Sequence, residues 1–293
     1  MPDVPFSTPT TEPSSFMTVT SATQFDKQAD FTDHVVSSLR QNNEYHAFIF
    51  TGVPPSWADA VYQLIDEKIP SRKSYNSKSR ELRIVVRHTD ITDCVHSWLI
   101  DQTSDWVENG DITRQERKLL CLRVGTTLRF KSGPYSGSWK EPDFFFQARH
   151  HYLPTLAVES GWSEEKEQLH KGMDLSLVGG NGTTKVVIIV EWTKLNEGRL
   201  SGTIELFVRD SNGTIFPRLA TPNNLWIRRW DLFGPALLPG RNGNDILYLD
   251  LEQLRDHAAE ALGFTDLVPA YIHYVGEPLP MCTTSSSSRK SLT

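Results

Sequence analysis

The fold is decided by residues 140–161, which have the sequence KEPDFFFQARHHYLPTLAVESG. Two short segments rich in aromatic and aliphatic residues flank a polar segment that ends at Pro154. Such a composition favours two β-strands, and the polar segment closed by proline favours a connection between them. We therefore predict a β-hairpin in this stretch.

The predicted hairpin brings two acidic side chains together. If it is centred on His151, Asp143 and Glu159 lie equally far from the centre and face each other across the two strands. Opposed residues share one face of a sheet, with Cβ atoms about 4.5–5.5 Å apart. Two carboxylates this close repel each other unless a cation lies between them, and carboxylate oxygens suit Mg²⁺ or Mn²⁺. The pattern predicts a metal site at Asp143 and Glu159, although acidic residues also occur at strand ends without a functional role.

The segments around the hairpin predict alternating helices and strands. Residues 185–193 are apolar on both faces, which is typical of a central strand covered on both sides. A helix between Glu159 and this strand implies a right-handed crossover that makes the two strands parallel. From capping residues and apolar periodicity we predict helices over 25–40, 56–68, 90–108, 111–120, 163–178 and 250–262, and strands over 47–50, 81–87, 121–130, 185–193 and 201–209. Residues 225–233, with two tryptophans and paired arginines, are expected to complete the domain together with the last helix.

Composition limits the class of protein. The 293 residues are long enough for a full core, and no apolar run approaches the roughly 20 residues that span a bilayer. Residues 1–24 and 276–293 are rich in Ser, Thr and Pro and are expected to be disordered tails around a single α/β domain at 25–275. The three widely spaced cysteines suggest neither a disulfide framework nor a zinc site. With no secretion signal recognised, we expect an intracellular protein, cytoplasmic or nuclear, with no membrane span.

The charge distribution argues against a surface that binds nucleic acid throughout. The net charge is −6, whereas such binding depends on neutralising phosphates. One local exception is the basic run at residues 71–80, which is interleaved with hydroxyl groups and a tyrosine. This run is either a solvated loop or a nucleic-acid contact.

The order of elements and the two acidic motifs resemble the PD-(D/E)XK nuclease superfamily. In particular, the Glu-Pro-Asp motif ending at Asp143 and the segment 154–163, PTLAVESGWS, resemble Uma2-like restriction-endonuclease-like proteins and uncharacterised fungal relatives. The resemblance covers about residues 97–209. It implies a restriction-endonuclease-like core, a central mixed sheet flanked by helices, with additions at both ends. It also implies that Asp143 and Glu159 bind a divalent cation, which activates water to attack a phosphodiester of DNA or RNA.

The sequence departs from the family pattern at the lysine. The family has lysine two residues after the glutamate, where this chain has Gly161. Another lysine could take the place of the missing one, and the candidates are Lys140, Lys166, Lys171 and Lys194. We assign the catalytic role to Lys194, because it lies just past the end of the predicted neighbouring parallel strand.

Several other residues are weaker candidates. Glu191 interrupts an apolar strand, so it is expected either to join the site or to form a structural salt bridge. His150 and His151 could bind a metal, but their place at the hairpin tip favours exposed side chains. Trp139 and Trp162 adjoin the proposed site, and each is either part of its rim or part of the core.

Three functions are compatible with these residues. The first is a divalent-metal-dependent nuclease that uses Asp143 and Glu159. The second is a catalytically inactive binding or scaffold module with the same fold, which Gly161 and the acidic net charge favour. The third is an unrelated α/β protein in which the carboxylates only decorate a sheet edge.

Overall fold

The structure is a computed structural model that describes residues 16–65, 69–218 and 224–274. These residues form an α/β fold in which mixed sheets are flanked by helices, as the sequence predicts. The helices are α1 Gln28–Gln41, α2 Pro55–Ile65, α3 Asp90–Glu108, α4 Arg114–Arg117, α5 Lys166–Gly179, α6 Arg229–Phe233 and α7 Leu251–Leu262. The strands are β1 Met17–Ser21, β2 His46–Thr51, β3 Ser71–Asn76, β4 Glu81–Val86, β5 Leu120–Arg123, β6 Leu128–Arg129, β7 Trp139–Lys140, β8 Phe144–Ala148, β9 Leu156–Trp162, β10 Val186–Lys194, β11 Arg199–Arg209, β12 Ile215–Pro217, β13 Asn224–Arg228, β14 Ile246–Asp250 and β15 Val268–Tyr274.

The central sheet has the strand order β12-β11-β10-β9-β8-β5, with β15 added parallel to β11. Strands β9 and β10 run parallel with α5 between them in the chain, as predicted, and the remaining neighbours are antiparallel. Alternate residues of β10 pack on opposite sides, because Ile188 lies in the core with α3 and Ile189 lies in the core with α5. This explains why the strand is apolar on both faces.

The β8–β9 hairpin has the register that its sequence predicts. Phe144 pairs with Val158, and Phe146 pairs with Leu156, so the centre of symmetry falls at His151. The turn is tightened by His150, which has a positive φ of 70°. Asp143 therefore lies directly before β8, opposite Glu159 on β9.

A first sheet, with the order β1-β2-β4-β3-β7-β6, is formed mainly by the N-terminal third of the chain. Its first strand, β1, pairs parallel with β2 from Met17 onward, so the predicted N-terminal tail at 1–24 extends too far. The parallel partner explains the difference, because a long-range backbone ladder orders residues whose composition alone favours disorder. Residues 1–15 and the predicted C-terminal tail, 276–293, lie outside the described residues.

The basic run at residues 71–80 is not a solvated loop along its whole length. Residues 71–76 form β3, between β4 and β7, and only the turn that follows is exposed. Arg72 and Lys73 are largely buried, in ion pairs with carboxylates. Arg72 and Lys73 are adjacent in the strand, so their side chains point to opposite faces. Each meets a carboxylate that is distant in the sequence, so the sequence does not show that the two charges are buried.

Two predicted elements are shorter than expected. The helix predicted over 111–120 is limited to α4, and the strand predicted over 121–130 is divided into β5 and β6. The division occurs at Gly125, whose φ of 59° belongs to a turn and not to a strand. The two halves consequently join different sheets, β5 the central sheet and β6 the first sheet.

The C-terminal ribbon, β13 and β14, is fixed on α3 by two tryptophans. The indole N–H of Trp98 donates to the carbonyl of Asp250 at 2.7 Å, and that of Trp106 donates to the carbonyl of Tyr248 at 2.6 Å. Helix α7 then packs along α3. Among the described residues, no helix combines the length and the apolar character that a membrane crossing requires.

A buried carboxylate joins α4 to the C-terminal region. Glu116 is fully buried, and its carboxylate accepts from the Arg229 guanidinium at 2.6 Å and from the backbone N–H of Thr113 at 2.8 Å. Burial alone would raise the pKa of Glu116, but the hydrogen bonds from Thr113 and the charge of Arg229 hold it below its ordinary value. Arg241 adds a further contact at 3.2 Å.

Replacing this carboxylate is expected to destabilise the protein. Glu116→Gln removes the charge that compensates Arg229, and we expect a loss of about 3 kcal/mol in the free energy of unfolding, the lower end for a broken buried pair. The value is at the lower end because Arg229 keeps an ion pair with Asp245 at 3.2 Å. Urea unfolding measures the change, and Glu108→Gln at the exposed end of α3 is the control. Equal losses in the two variants would contradict a role for the buried pair.

Candidate functional site

The two predicted carboxylates are buried where the first sheet meets the central sheet. Asp143 is 6% exposed and Glu159 is 4% exposed. One Asp143 oxygen, Oδ2, accepts the backbone N–H of Ser160 at 2.7 Å. The regular pairing of β8 with β9 ends at Phe144, so the Asp143 side chain continues the hydrogen bonding beyond the last paired residue. Asp143 therefore supports the sheet as well as carrying a charge.

The other oxygen of Asp143 forms an ion pair with Arg72, which extends from β3 of the first sheet. The same guanidinium donates to Asp93 on α3 at 3.0 Å and interacts electrostatically with Glu159. Arg72 thus provides the positive charge that two neighbouring carboxylates require. The sequence does not indicate this role, because the pairing of β3 with β7 that positions Arg72 is long-range.

Glu159 pairs with a lysine from β7. The Lys140 Nζ lies 2.5 Å from Glu159 Oε1 and donates a second hydrogen bond to the carbonyl of Gly172 at 3.0 Å. Lys140 is 2% exposed, and burial lowers the pKa of its ammonium group while Glu159 opposes that shift. Of the four lysines proposed from the sequence, Lys140 is the one that contacts Glu159.

Helix α5 covers this pair closely. A Cβ atom added at Gly172 would lie 3.1 Å from Lys140 Nζ and 3.4 Å from Glu159 Oε2. The separation from Lys140 Nζ is tighter than ordinary van der Waals contact, so the absence of a side chain at Gly172 lets the helix backbone reach the ammonium group. Glycine at 172 is accordingly part of the geometry of the site.

The position where the family has its lysine is closed in this chain. A Cβ at Gly161 would lie 3.2 Å from a methyl group of Leu169 and 3.7 Å from Glu165 Oε1. A lysine side chain at 161 would have to displace Leu169, which is fully buried. The ammonium group beside Glu159 comes instead from β7, which pairs with β3.

The remaining candidate lysines occupy other places. Lys194, to which the catalytic role was assigned, is exposed, and its Nζ lies 4.5 Å from the ring centre of Phe16 and 5.2 Å from that of Trp162. It follows Ile189, the partner of Glu159, by five residues, or roughly 16 Å along a strand at about 3.3 Å per residue. Lys194 therefore lies away from the two carboxylates.

Two further lysines pair with acids outside the site. Lys166 lies 3.1 Å from Glu191, so Glu191 forms the salt bridge that was one of its two predicted roles. Lys171 pairs with Glu81 at 3.1 Å and with Glu167 at 3.0 Å.

A second buried charge cluster adjoins Glu159. Glu165, at the start of α5, forms an ion pair with Arg83 of β4 and accepts the Tyr45 hydroxyl hydrogen bond at 2.5 Å. Burial and the Glu165 charge raise the pKa of Tyr45 well above its ordinary value. Arg83 also interacts electrostatically with Glu159 and Lys140. The site is therefore a connected set of charges contributed by both sheets and α5.

The other singled-out residues lie outside this set. His150 is exposed and His151 is partly exposed at the hairpin tip. Trp139 is 1% exposed in the core of the first sheet, and Trp162 is 3% exposed and stacks on Phe16 at 5.1 Å. Both tryptophans are core residues.

The donor set matches a hard divalent cation in type. Asp143 and Glu159 offer carboxylate oxygens, and Mg²⁺ commonly takes one or two protein carboxylates while keeping several waters. The part of the chain that the structure describes contains no group of three or more His, Cys, Asp or Glu side chains placed to hold a metal ion. A small cavity beside Glu159, Lys140 and Lys171 has a volume of ≈ 30 Å³, enough for water molecules.

No protein-family model matches the chain, and no curated protein matches it.

The Lys140–Glu159 pair is expected to show strong energetic coupling. Lys140→Met or Glu159→Gln alone leaves one buried charge without its partner and should cost about 3–5 kcal/mol of unfolding free energy. The double variant should cost at least 1 kcal/mol less than the sum of the two. A comparison cycle on the exposed Arg199–Glu197 pair should give a coupling of about 0.5 kcal/mol or less. Additive losses at Lys140 and Glu159 would show that the two groups do not interact.

The half-buried His88, which lies near Arg72 and Arg83, predicts acid sensitivity. Burial and the positive charges of Arg72, Arg83 and His96 lower the pKa of His88 to about 3, whereas the unperturbed pKa is about 6.5. Between these two pKa values only the unfolded chain binds the proton. The contribution of neutral His88 to the unfolding free energy is therefore fully present above pH 6.5 and decreases as the pH falls toward 3. We expect His88→Phe to reduce the pH dependence of the unfolding free energy by up to about 1.4 kcal/mol per pH unit between about pH 6 and 4.

Urea unfolding at several pH values measures this slope. The variant and the parent protein should have equal slopes between about pH 7.5 and 8.5, because His88 is neutral there in both folded and unfolded chains. A parent slope unchanged by the substitution at acidic pH would contradict the assignment to His88.

Proposed function

We propose that the protein is a divalent-metal-dependent phosphodiester hydrolase of the nuclease-like type, acting on DNA or RNA. The observation that carries the proposal is that Asp143 and Glu159 lie opposite each other at the end of the β8–β9 hairpin, both buried, with the Lys140 ammonium group on Glu159 and the Arg72 guanidinium on Asp143. This is the acid, acid and lysine combination that the resemblance implies, with the lysine supplied by a different strand.

The path of the chain through the central sheet supports the same proposal. Helix α3, strands β5, β8 and β9, helix α5 and strand β10 follow each other in this order, with β9 and β10 parallel. The superfamily is expected to have a helix, three antiparallel strands, a helix and a parallel strand in that sequence. The agreement is one of fold, and fold alone does not establish an activity.

The proposed roles follow from the contacts. Asp143 and Glu159 would hold the cation, and the cation would supply a Lewis acid that activates water and offsets negative charge on the phosphate. The Lys140 ammonium, held by Glu159 and the Gly172 carbonyl, would donate to a phosphate oxygen or orient the attacking water. Its burial strengthens any such interaction, because the surrounding medium has a low dielectric constant.

Arg72 regulates access to the acids in this proposal. The Arg72 guanidinium already pairs with one oxygen of Asp143. A metal cation would coordinate that oxygen only when Arg72 turns toward another anion. A substrate phosphate would be such an anion, and arginine binds phosphate oxygens well. The proposal therefore links metal binding to substrate binding.

The activity test uses purified protein with Mg²⁺ or Mn²⁺ on plasmid DNA and on a labelled RNA. Asp143→Asn, Glu159→Gln and Lys140→Met should each lower the cleavage rate by roughly 100-fold or more, the usual effect of removing one acid–base or charge-stabilising group. Lys194→Met and Glu191→Gln are matched controls at residues with the same side chains outside the cluster and should retain activity. EDTA should abolish cleavage.

Circular dichroism confirms folding of each variant at the assay temperature. Activity that persists in EDTA, or that survives Asp143→Asn and Glu159→Gln in folded protein, would overturn the proposal.

A second candidate function is a binding module without catalysis. It is favoured by the engagement of both Asp143 oxygens, one by Arg72 and one by the Ser160 N–H. In this case the charges are structural, and the folded protein would neither cleave nucleic acid nor bind Mn²⁺ in calorimetry. The same panel of variants distinguishes the two functions.

A further inference from the structure

A second candidate site lies at the far edge of the central sheet, away from the carboxylates. A groove runs between the β11–β12 edge and the β13 and α6 region, with a volume of ≈ 640 Å³. This volume is within the roughly 300–1,000 Å³ typical of ligand sites. The groove shares no lining residue with the cavity beside Glu159.

The groove is rich in positive charge, although the whole chain carries a net charge of −6. Lys185, Arg209 and Arg228 line it, and none of the three forms an ion pair with a carboxylate of the described residues. The two acids of the groove already have partners, and the partner of Asp231 is a fourth cation of the groove, Arg218. Asp231 pairs with Arg218 at 3.1 Å, and the Asp210 carboxylate accepts backbone N–H groups of its own turn at 2.8 Å.

The Arg209 guanidinium passes close to two glycine turns. Its guanidinium nitrogens lie 3.0 Å from the position of a Cβ at Gly182 and 3.1 Å from that of a Cβ at Gly213. Both glycines have positive φ, at 80° and 88°, so the turns also need glycine for their backbone conformation. The Arg209 Nε is buried and has no hydrogen-bond partner among the described residues. Because Arg209 lines the groove and has no ion pair among the described residues, its guanidinium is suited to an anionic ligand such as a phosphate.

Aromatic rings stand beside these cations. Trp230 is 46% exposed and Phe216 is 40% exposed, which is unusual for side chains of this size. Trp226 carries the Arg218 guanidinium stacked on its ring at 3.9 Å. On the outer face of the ribbon, Tyr248 is 57% exposed and lies opposite Trp226 in register. The groove and its rim thus combine flat exposed rings with arginines.

We propose that this groove binds single-stranded nucleic acid. Unpaired bases stack on aromatic rings, and arginines neutralise the phosphates between them. Bases in a duplex are already stacked on one another, so they cannot use the rings of Trp230 and Phe216. An anionic peptide could satisfy the cations but not the rings. This site would position a single strand on the protein, whether or not the carboxylate cluster hydrolyses it.

The test measures fluorescence anisotropy of a labelled oligonucleotide of about 15 nucleotides, close to the upper site size of single-strand binding folds. The full-length protein is used in EDTA, so that binding is measured without hydrolysis and its failure is separate from failure of the hydrolase. Trp230→Ala should weaken binding by roughly 5- to 100-fold, as expected for loss of one stacking ring. Arg228→Ala should weaken it and reduce the slope of log K against log salt by about 0.7.

Matched controls come from exposed residues outside the groove. Phe264→Ala removes a ring that is 79% exposed, and Arg40→Ala removes an exposed arginine at the end of α1. Both should bind as the parent protein does. Thermal melting confirms that all four variants remain folded.

Three results would overturn the proposal. They are no binding of the oligonucleotide at low salt, equal binding of a duplex or of polyglutamate, and unchanged affinity in Trp230→Ala and Arg228→Ala.

Discussion

The fold depends on the compensation of buried carboxylates by cations from a neighbouring sheet. Asp143 meets Arg72 of β3, and Glu159 meets Lys140 of β7, so the first sheet supplies both positive charges to the central hairpin. Isolated charges at this depth would be costly, whereas paired and hydrogen-bonded charges are tolerated. Because the partners come from different sheets, the pairs also fix how the two sheets face each other. The Glu165, Arg83 and Tyr45 cluster adds a further connection of the same kind.

The same charges can serve structure and chemistry. A cluster of buried acidic and basic side chains is typical of functional sites, although structural ion-pair networks have the same composition. Here Lys140 and Glu159 are closed over by α5 at Gly172, and Asp143 has a hydrogen bond to the sheet backbone. A protein that uses these groups for hydrolysis must exchange internal ion pairs for contacts with a cation and a phosphate. The contacts with the cation and the phosphate must therefore be more favourable in free energy than the ion pairs that they replace.

The local features were predictable from the sequence and the long-range ones were not. The hairpin register follows from the spacing of Asp143 and Glu159 about His151, and the parallel β9–β10 pair follows from the helix between two apolar strands. The sequence points to Lys194 and not to Lys140 as the lysine beside Glu159, because β7, which carries Lys140, has only two residues and is defined by its pairing with β3. The inward direction of Arg72 was hidden for the same reason. The closed space at Gly161 depends on Leu169, whose position only the packing of α5 determines.

The return of the chain to its first sheet has a consequence for the order of folding. Strands β1 to β4 end at Val86 in the chain. The second neighbour of β3 is β7, at Trp139 and Lys140, which follows α3 and the central-sheet strand β5 in the chain. A nascent chain that has emerged only as far as β4 would present an unpaired strand edge bearing Arg72 and Lys73. Contacts with such large sequence separation slow folding and leave open edges susceptible to association with other chains. The charges on β3 would then oppose aggregation during synthesis, because lysine and arginine on an open edge disfavour strand pairing with other chains. This effect would be needed until β7 is synthesised and pairs with β3.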